Sequence, residues 1–190
     1  MIETERLILR NFKETDIDDY FECVSQEDVL SRMGGATPYS SKEKALERLV
    51  YESKQLLHFA IVLKENNKVI GNISLNEPKL ERYTDIKIDK HTKELGYFLS
   101  HDYWGKGIMP EAGIGLLKYA FSKLGVTKIV CGTKTLNNQS IRVQEKIGLK
   151  MHSIKENAGT WINGESCDYI RTCITSKEWL KNYLETQKEK

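Results

Sequence analysis

The feature that most constrains this chain is YWGKGIMPEA, Tyr103 to Ala112. An alternating apolar run, ELGYFLS (Glu94 to Ser100), precedes it, and an apolar helical pattern follows it at once. A strand must therefore end, turn through glycines and enter a helix. Glycine lets the backbone turn sharply and approach a ligand closely. The first helical turn presents unpaired N–H groups and the positive end of the dipole, which together favour an anion such as phosphate or pyrophosphate. Pro110 falls in that first turn, where its missing N–H costs nothing. The alternative is a tight strand-to-helix turn that needs glycine for steric reasons alone. Lys106 either adds charge to such a site or is a solvated surface lysine. Two familiar phosphate loops do not fit. The P-loop count puts Ser100 at the first glycine and Gly107 after the lysine. The dinucleotide fingerprint finds Gly105 and Gly107 but has Pro110 at its third position, with no early βαβ unit around it.

Around this stretch the hydrophobic period changes several times. RLILR (Arg6 to Arg10) alternates and predicts a strand. Thr15 with Asp18 suggests a capping box for a helix over about 16–25. Ser40 with Glu43 suggests another, for a helix with Ala45, Leu46, Leu49 and Val50 as its apolar stripe. HFAIVLK (His58 to Lys64) and VIGNISLNE (Val69 to Glu77) predict two strands joined at NNK, and residues 78–91 look like a polar insertion. After the glycine stretch, a helix to about Leu124 leads to the strand TKIVCGT (Thr127 to Thr133). NNQSIRVQEKIG (Asn137 to Gly148) predicts a short helix closed by Gly148. Two last strands meet at Asn163-Gly164, and Trp179, Leu180 and Leu184 give a final helix an apolar side. The order β-α-α-β-β-β-α-β-α-β-β means α+β with a mixed sheet, and the unit from Glu94 to Thr133 predicts one parallel pair with a right-handed crossover.

Composition narrows the function classes. The 190 residues are 39% hydrophobic and 29% charged, which suits one soluble globular domain, 1–190, with a sizeable core. A net charge of +2 makes no case for nucleic acid. No apolar run approaches the ~18 residues of a membrane helix. MIETERLILR lacks the apolar core of a signal peptide, so a cytoplasmic protein is expected. Cys23, Cys131, Cys167 and Cys173 show no metal-ligand spacing, so free thiols and no metal are expected.

The strand ELGYFLS, the loop YWGKGIMPEA and the segment NNQSIRVQEKIGL together resemble the GNAT superfamily of N-acetyltransferases, and more closely its RimJ/RimL-like branch. The likeness runs nearly end to end: TERLILR, Asn137 with Ser140, EKIGL, Asp168 and Trp179 sit where that branch has similar residues. The resemblance implies a mixed, mostly antiparallel sheet flanked by helices, with a V-shaped splay between its central parallel strands. It implies acetyl-CoA as co-substrate and a pyrophosphate loop over Trp104, Gly105, Lys106, Gly107, Ile108 and Met109. Gly107 matches the glycine that the loop pattern requires. Trp104 stands where Gln or Arg is usual, as it often does in this branch, and Met109 stands where a small residue is usual. Phe98, Leu99 and Ser100 match the strand backbone that pairs with the pantetheine arm. Asn137 matches an asparagine that contacts the arm or orders water there, and it also reads as a helix N-cap.

Direct acyl transfer to an amine needs a base or a water chain, N–H donors for the oxyanion and a partner for the departing thiolate. An amide near Leu99 is the candidate donor. Glu94, which opens the strand leading to the loop, is the first candidate base, and a surface glutamate is the alternative. His101 is the second, although its place at the mouth of the loop favours a structural role; His91 and His152 are weaker, and His58 is expected to pack at a strand start. Many family members have a tyrosine, serving the thiolate, four residues after the motif serine, where this chain has Gln144. That leaves Ser140 as the expected thiolate partner, with bulk solvent as the alternative. The resemblance implies an amine acceptor, either a protein N-terminal α-amine or a small amine such as a polyamine, amino acid or antibiotic. Glu14, Asp16, Asp18, Asp19, Glu22, Glu27 and Asp28 would form an acidic rim suited to a cationic amine, or simply a solvated helix face. A weakly catalytic acetyl-CoA-binding module is the rival reading, and a homodimer is left open.

Overall fold

The computed structural model describes residues 1–32 and 37–188. Two compact units make up the chain: Met1–Leu75 with Gly96–Leu116, and Asn76–Leu95 with Leu117–Lys190.

The first unit begins with β1 (Ile2–Glu3) and β2 (Leu7–Arg10), joined by a tight turn in which the Thr4 N–H donates to the Leu7 carbonyl at 3.0 Å. Three helices follow, α1 (Ile17–Val24), α2 (Glu27–Leu30) and α3 (Lys42–Ser53), and then β3 (His58–Leu63) and β4 (Val69–Asn76). Antiparallel pairing sets Leu7 against Leu63 and His58 against Ser74. Leu7 and Leu9 are fully buried while Ile8 and Arg10 are only partly so, which is the alternation seen in the sequence. Tyr20, Cys23 and Val24 of α1 and Ala45 and Leu49 of α3 pack with Ala60, Val62, Val69 and Phe98 into one core. Tyr20 stands edge-on to both Phe12 and Phe98, at 5.4 and 6.2 Å between ring centroids.

The helix starts differ from the sequence expectation. The Thr15–Asp18 box is not what opens α1. Instead Asp16 accepts the Lys13 N–H at 2.8 Å and a two-pronged bond from Arg10, and a short 3₁₀ turn over Glu14–Asp16 leads into the helix. The side chain that caps α3 is Ser41, not Ser40; it accepts from the Lys44 N–H. Leu46 lies outside the α3 stripe and is exposed.

β5 (Thr92–Leu99) and α4 (Ile108–Lys123) begin in one unit and end in the other. In the second unit, β6 (Lys128–Lys134), α5 (Asn138–Lys146), β7 (Lys150–Thr160), β8 (Ser166–Thr175) and α6 (Ser176–Lys188) follow. β5 pairs in parallel with β6 over Thr92–Lys128, Lys93–Ile129 and Glu94–Val130. β6 and β7 both pair antiparallel with β8. The strand order is β1-β2-β3-β4-β5-β6-β8-β7, so the mixed, mostly antiparallel α+β architecture expected from the sequence is the one observed. At the end of α5, Gly148 and Leu149 donate to the carbonyls of Glu145 and Gln144, a paired closure that requires the glycine.

Two expectations in this unit need correction. Residues 78–91 are not a mere insertion: Tyr83 and Ile86 are buried and pack with Val130. The apolar side of α6 is narrower than expected. Trp179 is buried and donates to the Ile147 carbonyl at 2.9 Å, but Leu180 and Leu184 are exposed.

Candidate functional site

The glycine loop is built entirely within the first unit. β5 ends with the Ser100 N–H on the Ile70 carbonyl at 2.9 Å. A short turn over His101–Tyr103 follows, and Gly105 and Gly107 both take φ of +73° before α4 begins at Ile108. Left-handed backbone twice in three residues is what the two glycines permit. The Gly107 carbonyl accepts the first helical bond, from the Glu111 N–H at 3.1 Å. The N–H groups of the first turn ahead of Glu111 therefore lack helical partners of their own, and Pro110 has none to leave unmet.

Two unusual residues of the loop acquire physical reasons. The Trp104 indole N–H donates to the Leu99 carbonyl at 2.7 Å, so the residue that opens the loop is pinned to the end of the strand before it. Met109 is buried, 4% exposed, and its bulk is taken up by the core. Gly105 and Lys106 are exposed. His101 stacks on Trp104 with ring centroids 4.6 Å apart, its Nδ1 pairs with Asp28, and its backbone N–H donates to Gln26 Oε1 at 2.8 Å. Gln26 in turn donates to Ser100 Oγ at 3.1 Å. The surroundings of His101 are those of a brace between α2 and the loop.

The second unit holds the other candidates. Glu94 is buried rather than a surface strand end. Its carboxylate accepts from the Tyr83 hydroxyl at 2.8 Å, from Arg82 Nη1 at 3.2 Å and from the Lys79 N–H at 3.2 Å. Burial, reinforced by charge on Cys131 and Glu94, pushes the Tyr83 phenol far above its ordinary range. Tyr169 lies over Gly132, where a Cβ would meet its ring at 2.3 Å, and burial pushes its phenol up to about 12. Asn137 caps α5, its Oδ1 accepting the Ser140 N–H at 3.2 Å. Gln144, at the position where many family members have tyrosine, is buried. Its Nε2 donates to Ser140 Oγ at 3.1 Å and its Oε1 accepts from the Thr172 hydroxyl at 2.7 Å.

Much of the acidic run around α1 and α2 is engaged within the fold. Asp16 pairs with Arg10, Asp18 with Lys42, Glu22 with Lys68 and Asp28 with His101, while Asp19 accepts the Val69 N–H at 2.8 Å. Among the described residues, no group of three or more His, Cys, Asp and Glu side chains is placed to hold a metal ion, and no helix is long and apolar enough to cross a membrane.

A family model described as the acetyltransferase (GNAT) domain matches residues 6–150. The chain belongs to the GNAT family. It is an acyltransferase that moves an acetyl group from acetyl-CoA to an amine. The uncharacterised N-acetyltransferase YoaA of Bacillus subtilis (strain 168) is 27% identical over 160 residues, covering 81% of this chain and 85% of that protein. A GNAT acetyltransferase from Bacillus anthracis has the same fold, with a TM-score of 0.79 and 24% identity over 93% of this chain and 99% of that one. So does the spermidine N-acetyltransferase of Vibrio cholerae in complex with CoA and spermine, with a TM-score of 0.72 and 20% identity over 92% and 98%. Within this GNAT fold, several contributors gave no clear signal in the sequence. Arg6 and Thr4 brace the loop through Glu111, and only the TERL motif marked them. Tyr83 sat in a stretch that read as an insertion. Gly71 is a mid-strand glycine whose Cβ would meet the Phe98 carbonyl oxygen at 2.4 Å; such glycines often mark a close backbone approach.

Proposed function

We propose that residues 1–190 act as one acetyltransferase domain of the RimJ/RimL-like kind, which transfers the acetyl group of acetyl-CoA by direct attack to a protein N-terminal α-amine. The observation that carries the reading is the loop Trp104–Met109, with its two left-handed glycines at the start of α4. A diphosphate fits that cradle: Gly105, Lys106, Gly107, Ile108 and Met109 offer backbone N–H groups, Lys106 adds a positive charge, and Met109 takes its bulk away from the ligand side. Phe98 and Leu99 offer strand backbone to the pantetheine arm, and Asn137 keeps its amide N–H₂ group for a carbonyl or a water.

Acetyl-CoA supplies the acetyl thioester. Glu94 removes the amine's proton through a water, since its own carboxylate is buried. Ser140, whose Oγ accepts from the Gln144 amide, serves the departing thiolate.

The paired acidic residues support a single α-amine over a polyamine. With Asp16, Asp18 and Glu22 each bound to a lysine or arginine of this chain and Asp28 bound to His101, less acidic rim is left to hold a polycation. The second reading, a small-amine acetyltransferase, draws on the spermidine enzyme of the same fold.

The test is thiol release from acetyl-CoA with peptides beginning in Ala or Ser, with spermidine and with aminoglycosides. Release with the peptides alone is the expected result, and release with spermidine instead would overturn the acceptor. No release, with thermal stabilisation by acetyl-CoA but not by ATP or NAD, would favour a binding module. Gly107→Val should weaken acetyl-CoA binding, since φ of +73° is strained for a branched side chain; unchanged affinity would remove the loop from the site.

A further inference from the structure

The loop does not hold its shape alone. Arg6, at the tip of the β1–β2 turn, extends its guanidinium to it. Its Nη1 donates to the Lys106 carbonyl at 3.1 Å, and its Nε donates to Glu111 Oε2 at 2.6 Å. The other Glu111 oxygen accepts from the Thr4 hydroxyl at 2.6 Å and from the Arg6 backbone N–H at 2.8 Å. Thr4 Oγ1 in turn accepts the Leu7 N–H at 3.1 Å. One carboxylate in the first turn of α4 thus ties together the turn, the arginine and the loop.

The bond to the Lys106 carbonyl has a directional consequence. Across a planar trans peptide the C=O and the following N–H point in opposite directions. With the Lys106 carbonyl turned toward Arg6, the Gly107 N–H is turned away from it. The Cβ direction of Gly107 also faces Arg6, at 3.6 Å from Nη2, so Arg6 covers one side of that glycine. Glycine on both sides of Lys106 would otherwise leave this peptide free to rotate.

We propose that Arg6 is a positioning residue for diphosphate recognition: it fixes the Lys106–Gly107 peptide so that the Gly107 N–H is presented to the ligand, while Glu111 holds Arg6 in place. This rests on the reading of Trp104–Met109 as the diphosphate loop. The guanidinium acts through the loop rather than on the phosphates.

The test compares two donors, acetyl-CoA and S-acetylpantetheine, which has the same thioester and arm but no diphosphate. Dissociation constants for CoA come from calorimetry, and KM for each donor comes from thiol release. Arg6→Met keeps the apolar stem and removes every donor. It should weaken CoA binding and raise KM for acetyl-CoA roughly tenfold, the size of one charge-assisted hydrogen bond, while KM for S-acetylpantetheine stays unchanged. Should Arg6→Met not fold, Arg6→Lys keeps the charge without the fork and should show the same donor-selective loss more weakly. Equal losses for both donors, or no loss for either, would overturn the role of Arg6 while leaving the loop assignment standing. If the unmodified protein itself does not prefer acetyl-CoA to S-acetylpantetheine, the loop reading fails, and this inference with it.

Discussion

Gln144 and Ser140 are joined by a hydrogen bond in which the glutamine amide donates to the serine Oγ at 3.1 Å. With Thr172 on its other end, Gln144 is committed to structure, and Ser140 is the hydroxyl proposed to serve the departing thiolate. Ser140→Ala should lower kcat by about tenfold to a hundredfold with little change in KM for acetyl-CoA. An unchanged kcat, read from steady-state thiol release, would leave the thiolate to solvent. Gln144→Ala should instead act on stability, at roughly 1–3 kcal/mol for the lost bonds to Ser140 and Thr172 and the lost packing, with the Thr172 hydroxyl keeping the Cys131 carbonyl, measured by urea unfolding.

Glu94 holds three donors and is buried, so its proposed role as base must be separated from its structural one. Glu94→Gln should cut turnover at neutral pH while acetyl-CoA affinity stays nearly intact. Tyr83→Phe removes one donor but keeps the carboxylate. It should cost about 1 kcal/mol of stability and leave most of the turnover. If both variants lose turnover equally, Glu94 acts as scaffold and not as base.

Glu111 sets an acid limit to the stability of the first unit. Burial alone would raise its pKa, but the bonds from Thr4 and Arg6 outweigh it and hold the carboxyl below the ordinary 4.5. A carboxylate depressed in the folded state stabilises the fold fully above its unfolded pKa. That stabilisation is lost as the pH falls through the folded value. Urea midpoints should therefore be flat above about pH 5 and fall below about pH 4.5, and Glu111→Gln should flatten this acid limb. An acid limb of unchanged depth in the variant would place the effect on other carboxylates.

The thiols should differ in reactivity. Burial pushes Cys23 and Cys131 each up to about 12, so at pH 8 about one in ten thousand of either is thiolate. Iodoacetamide on the native protein should reach the partly exposed Cys173 first and leave Cys23 and Cys131 unmodified until urea is added, as peptide mass mapping would show. Early labelling of Cys131 would mean that β6 opens readily.

Sequence legibility followed the range of the interactions. β3, β4 and the strand into the glycine loop were readable because apolar runs mark buried strands, and α4 because glycines and a first-turn proline mark a helix start. Capping of α3 moved by one residue because Ser40 and Ser41 stand side by side and only the fold chooses between them. The two-residue β1 and four-residue α2 are too short to carry a period. Tyr83 was hidden because one buried aromatic in a polar stretch makes no pattern. Arg6 was hidden because its partners are remote in sequence, and the pairing of the acidic run was not legible because nothing local says which partner will meet each carboxylate.

The bond between Arg6 and Glu111 joins residues 105 positions apart. Closing so long a loop carries an entropy cost that only the surrounding packing offsets. The proposed ligand cradle is therefore a non-local product of folding, whatever order the strands form in. Between these two residues lie β2, the three N-terminal helices, β3, β4 and β5, so a chain halted before Glu111 during synthesis has no assembled cradle. Capture by immobilised CoA would thus select chains that have brought their beginning and their middle together, and would serve as a gauge of completed folding.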